Sequence, residues 1–496
     1  MLSHILGKQP LDSAGVVRLA DGTVRPLLDD AALERVDHAY RTADTLVAAG
    51  RVYGRTTGVG ANRSVEVGVS DAASHGLRLL RSHAGGIGNL LPGRQVLAML
   101  AVRINQLLAG GAGVQPGVVT ALADALAAGV HPAVNEYGAV GTGDLSALAQ
   151  TGLALAGEHP WLDRSGTETV APAAVPLAAG DALALISSNA LTLGQAALAH
   201  WELGILLRAS QVVTALTLHA VDGSLEAYAQ PVHAARPYPG AVRTATEIRR
   251  LLGAPPRPHP PVRRIQDPYG LRCFPQVHGP ALEAADQLER VLAVELNASA
   301  ENPLISDEGP EGTGAAYHHG GFFAALPGQA LEHLALAVHQ TARLSAGRLA
   351  ILGEPDFTGL RPFLADDVTA GSGLMILEYS ANAALAELRT AAQPASLGHA
   401  VLSRGVEEAA SFASQSARQA LRAAEAYRLI LGCELVAAVR ALRQRAAEGA
   451  ALPDPGCPAG HAFAAAAEAL SPEMTDRPPT GDVTRACGLL DTLAEM

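Results

Sequence analysis

Arg264-Ile265-Gln266-Asp267-Pro268-Tyr269-Gly270-Leu271-Arg272-Cys273-Phe274-Pro275-Gln276-Val277-His278-Gly279 brings a phenol, two guanidiniums, two amides and an imidazole into one run punctuated by Pro and Gly. Such punctuation reads as a loop, and loops held on a rigid scaffold carry reactive groups. A guanidinium such as that of Arg272 can grip a carboxylate through two parallel hydrogen bonds, so with Tyr269 and Gln266 beside it the run suggests a site for a small carboxylic acid. The plain alternative is that Gln266, Asp267 and Arg272 only tie a turn together. Upstream, the Pro-rich residues 254–261 read as an extended connector. Downstream the pattern changes to long helices. Residues 329–352 repeat Leu331, Leu334, Val338, Leu344 and Leu349 near helical spacing, and 406–445 contain no Pro and only Gly432.

Composition agrees with helices. Ala and Leu dominate, aromatic residues make up 4% of the 496 residues, and β-branched runs are scarce. The expected fold is therefore all-α, with an active-site region at 1–190, a central long-helix bundle at 191–448 and a cap of loops and short helices at 449–496. Helices this long bury several faces, which a bundle shared between subunits achieves. A net charge of −12 without a basic face argues against nucleic acid as a partner. No segment reaches about 18 uninterrupted apolar residues, the best candidate (182–198) being broken by Ser, Asn, Thr, Gly and Gln, so no membrane partner is expected. No signal-peptide pattern opens the chain, and Cys273, Cys433, Cys457 and Cys487 show neither metal-ligand spacing nor disulfide density. The expected location is the cytoplasm. The His318-His319 pair has no carboxylate or Cys partners at ligand spacing, so no metal is expected.

The opening run also resembles, nearly letter for letter, the signature loop of the histidine and phenylalanine ammonia-lyase family, and the resemblance recurs in order over roughly residues 50 to 410. Val52-Tyr53-Gly54-Arg55-Thr56-Thr57-Gly58-Val59-Gly60 is similar to the loop that carries the family's catalytic tyrosine. Ser82-His83-Ala84-Gly85-Gly86 is similar to the segment whose histidine contacts an imidazole substrate. Arg103-Ile104-Asn105, Glu301-Asn302-Pro303-Leu304-Ile305, Pro362-Phe363-Leu364, Gln393-Pro394-Ala395-Ser396 and Glu407-Glu408 follow in place. The resemblance implies an ammonia-lyase and fumarase-like helical bundle assembled as a homotetramer, with sites built from more than one subunit. It also implies α,β-elimination from a small-molecule amino acid. In that scheme Tyr53 takes the β-proton, while Tyr269 and Glu407 complete the catalytic set. Arg272 holds the carboxylate, Gln266 lines the pocket and His83 recognises an imidazole.

The departures matter as much as the matches. Family members carry Ala-Ser-Gly ahead of an Asp-Leu, and that tripeptide cyclises and dehydrates to methylidene-imidazolone, the electrophile that activates the substrate amine. Here Gly141-Thr142-Gly143 precede Asp144-Leu145, in a loop one residue short. Dehydration of Thr142 would give an ethylidene whose methyl crowds the carbon to be attacked. The family's Asn-Gly-Thr is replaced by Ser187-Ser188-Asn189, with Asn189 as the displaced amide. Its Gly-Gly-Asn-Phe-His is Gly320-Gly321-Phe322-Phe323-Ala324, and its Asn-Lys is Leu388-Arg389. Groups that would surround the electrophile change together with the electrophile, while base, carboxylate clamp and imidazole contact remain.

A leaving nitrogen that is already a quaternary cation has no lone pair to add to an electrophile and needs no activation to depart. Phe322 and Phe323 offer the aromatic faces that bind such a cation. Within the superfamily, ergothionase-like enzymes eliminate trimethylamine from an imidazole betaine without the prosthetic group. The expected activity is thus carbon–nitrogen elimination from histidine or a histidine-derived betaine, with no cofactor. The alternatives are a conventional ammonia-lyase or aminomutase using a Thr142-derived imidazolone, and a non-catalytic amino-acid-binding protein.

Overall fold

The computed structural model describes residues 2–50, 52–170, 172–259, 264–309, 313–366 and 369–496. Helices dominate, as composition and periodicity require, and the strands form only two-stranded ribbons. The chain falls into two compact units. One comprises Met1–Trp201, Leu288–Leu331 and Pro394–Arg418, and the other Glu202–Gln287, Glu332–Gln393 and Gln419–Met496. Each unit is woven from three separated stretches of chain. The cause is helix length: Ala190–Ala220, Ala325–Leu352 and Ala413–Ala447 each contain a unit boundary.

In the first unit, the helix Gly93–Leu108 is buried at every position from Val96 to Leu108. A helix enclosed on all sides cannot leave polar groups unpaired, and Arg103 is answered by Glu301 at 2.7 Å, by the Leu185 carbonyl at 3.0 Å and by the Ala184 carbonyl. Both members of the ion pair are almost wholly enclosed. Truncating either would strand a buried charge, a cost of about 3–5 kcal/mol. Asn105 anchors the same region through the Leu296 carbonyl at 2.8 Å. The words Arg103-Ile104-Asn105 and Glu301-Asn302-Pro303, almost 200 residues apart in the chain, are thus two sides of one contact.

In the second unit, the opening run proves to be only half a loop. Residues 264–268 are irregular, Tyr269–Arg272 form a helical turn, and Phe274–Glu295 form a continuous helix. Pro275 is tolerated because it occupies the helix's first turn, where the missing N–H has no intrahelical partner. Asp267 ties the turn, accepting from Arg264 at 2.9 Å and from the Ser224 N–H at 2.5 Å. The Gly270 carbonyl accepts from Arg348 at 3.2 Å, and that arginine is paired with Glu434 in full burial at 2.6 Å. The Pro-rich connector expected at 254–261 lies partly outside the described residues.

The helical stretch 181–220 is long and apolar enough to cross a membrane by length and composition alone, with a mean hydropathy of 1.4 over its best window. That window is entirely buried, which is the condition of a core helix. All four cysteines are free thiols.

Candidate active site

The first unit contains a cavity of about 850 Å³. Tyr53, Thr142, Gly143, Phe322, Phe323 and Glu407 line it, so six of the residues singled out in sequence meet around one space. Arg63, Asn302, His318, His319 and Glu408 line it as well.

Tyr53 sits in a turn whose backbone grips its own phenol: the Gly60 N–H donates to the Tyr53 Oη at 2.7 Å. Gly60 has φ +56°, and a Cβ there would stand 2.7 Å from Ser403 Oγ, so only glycine fits. Burial pushes the Tyr53 phenol above its usual pKa, and the nearby Glu407 carboxylate adds to the rise; the Gly60 N–H and the Arg63 guanidinium oppose it. The Tyr53 backbone N–H points at His318 Nε2, 3.4 Å away, and the two rings meet edge to face with centroids 6.4 Å apart. His319 is spoken for on both sides, with Nε2 on the Glu301 carbonyl at 2.7 Å and Nδ1 accepting from the Gly321 N–H at 2.9 Å. Among the described residues no cluster of three or more His, Cys, Asp or Glu could hold a metal ion.

Glu407 does not lie in a helix, although 406–445 has the composition of one. The helix starts at Ala413, and 402–407 form a short clasp closed by the Leu402 and Glu407 backbones. Long-range bonds override propensity here. The Phe412 N–H donates to the Val140 carbonyl at 2.8 Å and Ser411 Oγ to the Gly141 carbonyl at 2.8 Å, while Phe412 takes φ +54°.

Those same bonds fix the position where the family builds its electrophile. Gly141 has φ +83°, and a Cβ there would fall 2.1 Å from Ser411 Oγ, so the family's Ala has no room. Its carbonyl accepts from buried Ser411, and the Gly143 N–H donates to Asn189 Oδ1 at 3.1 Å. Asn189 in turn donates to the Phe322 carbonyl at 2.5 Å. Asp144 caps the arrangement: fully buried, it accepts from the Thr192 N–H at 2.7 Å and from Thr192 Oγ1 at 2.9 Å. Burial outweighs those bonds and pushes its carboxyl up to about 6. Forming an imidazolone would expel the Gly141 carbonyl oxygen and consume the Gly143 N–H. Ser411 and Asn189, both buried, would each lose a partner, at about 1–3 kcal/mol apiece. Gly141 and Thr142 thus differ from the family's Ala and Ser in the room and in the side chain that they offer.

Other expected site residues lie elsewhere. His83 ends the helix Ala72–His83 with Nδ1 against the Leu79 carbonyl at 2.9 Å and is not among the residues that line the cavity. Gln266, Tyr269 and Arg272 belong to the second unit. Gln266 is exposed, Tyr269 is 65% exposed, and the Arg272 guanidinium stacks 4.6 Å from the Tyr269 ring centroid. Arg63 stands in no motif word, and His318 was weighed only as a metal ligand and set aside; its place beside Tyr53 comes from a chain separation of 265 residues.

Comparison with known proteins gives a consistent result. Residues 11–469 match the model of the aromatic amino acid lyase family. Histidine ammonia-lyase from Streptomyces griseus is 33% identical over 489 residues, covering 95% of this chain and 93% of its own. Among solved structures, histidine ammonia-lyase from Trypanosoma cruzi superposes with a TM-score of 0.89 at 26% identity over 98% of this chain and 93% of that one. The ergothioneine-degrading enzyme ergothionase from Treponema denticola, solved with desmethyl-ergothioneine sulfonic acid, gives 0.88 at 26% identity over 99% of both chains.

Proposed function

The chain belongs to the aromatic amino acid lyase family and is a carbon–nitrogen lyase, and from that premise we propose that it eliminates trimethylamine from a histidine-derived imidazole betaine without a methylidene-imidazolone group. The observation that carries this reading is Gly141-Thr142-Gly143 in place of the family's Ala-Ser-Gly, with no room for a Cβ at Gly141, beside a cavity wall of Phe322 and Phe323. The resemblance in fold to an ergothioneine-degrading enzyme supports the same substrate class.

The chemistry needs a base and a good leaving group. The Tyr53 phenolate takes a proton from Cβ, that C–H electron pair becomes the Cα–Cβ double bond, and the Cα–N pair departs with neutral trimethylamine. The product is a conjugated acrylate, and the proton passes from Tyr53 to solvent. Before reaction, the quaternary nitrogen sits against the aromatic wall, where the ring quadrupole favours it. Its positive charge also favours the phenolate, offsetting the burial that otherwise keeps Tyr53 neutral. Arg272 grips the carboxylate through its two-point fork, contributed by another subunit of a homotetramer.

The test is to incubate the protein with ergothioneine, hercynine, histidine, phenylalanine and tyrosine. The expected result is the ultraviolet rise of an acrylate together with trimethylamine from a betaine, and no ammonia from the amino acids. Ammonia from histidine would sink the betaine reading in favour of a conventional lyase, the activity named for the Streptomyces griseus relative.

A further inference from the structure

The turn that carries Tyr53 brings its own cation. Its backbone closes on itself, with the Asn62 N–H on the Val59 carbonyl at 3.0 Å, the Arg63 N–H on the Gly60 carbonyl at 3.1 Å and the Gly58 N–H on the Val65 carbonyl at 2.9 Å. Arg63 therefore follows by one tight turn the glycine whose N–H holds the phenol, and its side chain lines the same cavity. Glu407 stands near the same turn, its Oε1 3.8 Å from where a Gly60 Cβ would be, and Glu408 also lines the cavity.

A phenol beside carboxylates is a poor base unless a positive charge faces it. The two histidines of the cavity do not supply one. His318 Nε2 faces the Tyr53 backbone N–H and His319 Nδ1 faces the Gly321 N–H, so both ring nitrogens are taken up by backbone donors. Arg63, among the described residues lining the cavity, is the permanent cation, and it forms no ion pair among the described residues.

We infer that Arg63 is the positioning residue that makes Tyr53 usable as a base, by holding a positive charge over the phenolate without touching the reacting carbon. This rests on the reading of Tyr53 as the proton acceptor, and it assigns a role to a residue outside the family's motif words.

The experiment separates the two claims by titrating the phenol without turnover. The ultraviolet phenolate signal of the full protein is followed against pH and the same curve for Tyr53→Phe is subtracted, in wild type, Arg63→Gln and Arg63→Lys. Arg63→Gln is expected to move the Tyr53 midpoint up by about half a pH unit, an exposed-pair effect equal to about threefold less phenolate at a given pH, and Arg63→Lys to restore it. With a consumed substrate, kcat should fall by the same factor, with the rising limb of its pH profile displaced upward and KM little changed. A Tyr53 midpoint identical in wild type and Arg63→Gln, with unchanged circular dichroism, overturns the assignment. Turnover by Tyr53→Phe instead overturns the elimination reading, even where the midpoint has moved as expected.

Discussion

Asn189 Oδ1 accepts the Gly143 N–H at 3.1 Å, and the same amide donates to the Phe322 carbonyl. Two positions at which the chain departs from its family, the displaced Asn and the Phe in place of Asn, are thereby joined through one side chain to a third, the Gly-Thr-Gly turn. Both bonds end on backbone groups, so Asn189 places the two segments whatever side chains stand at 143 and 322.

The intact protein is expected to have the mass of its sequence, with no deficit of two waters. Asn189→Leu, which leaves the buried Gly143 N–H without its acceptor, should lower stability by about 1–3 kcal/mol. Thermal unfolding measures the second, intact mass the first. A two-water deficit would show that Thr142 has cyclised despite Ser411 and Asn189.

Phe322→Asn tests the aromatic wall. If the quaternary nitrogen binds there, the variant should lose about 0.5–2 kcal/mol of preference for a trimethylated substrate over its primary amine. Binding of the betaine and the matching amino acid, measured by calorimetry in both proteins, gives the comparison directly. Equal losses for the two ligands would remove the cation–π argument.

Much of this was legible in the chain and some was not, for physical reasons. Tyr53, Thr142 and Phe322 stand in ordered motif words, and the Leu spacing of 329–352 matches the helix Ala325–Leu352. The loop at Glu407 was hidden because 406–445 is Ala-rich and almost free of Gly and Pro, so local propensity favours helix; the bonds from Ser411 and Phe412 to 140–141 decide otherwise. Arg63 and His318 were hidden for a related reason. Neither has a local signal: His318 is brought to Tyr53 across 265 residues, and Arg63 is brought to the lining of the same cavity.

Asp144 makes stability depend on pH in an unusual direction. Its folded pKa of about 6 lies above that of an unfolded carboxyl, about 4, so the folded state holds the proton more tightly. The resulting stabilisation is fully present below the unfolded value and is lost as pH rises through about 6. Asp144→Asn, which never ionises, should therefore gain melting temperature relative to wild type as pH increases from about 4 to 6 and change no further above it. A difference that stays flat across that window would contradict the burial-driven shift.

The second unit holds Arg272 stacked on an exposed Tyr269, while the cavity with Tyr53 is built within the first. If the protein is a homotetramer whose sites draw Tyr53 from one subunit and Arg272 from another, two inactive proteins can repair each other. Tyr53→Phe alone lacks the base and Arg272→Ala alone lacks the clamp. Co-expressed in equal amounts, they should assemble mixed tetramers in which about a quarter of sites receive both intact residues by chance, and activity should return to about a quarter of wild type. Light scattering on the same samples reports the assembly. Tetramers that mix freely yet stay inactive would place both residues of each site on one chain, and a fully active monomer would exclude the shared site altogether.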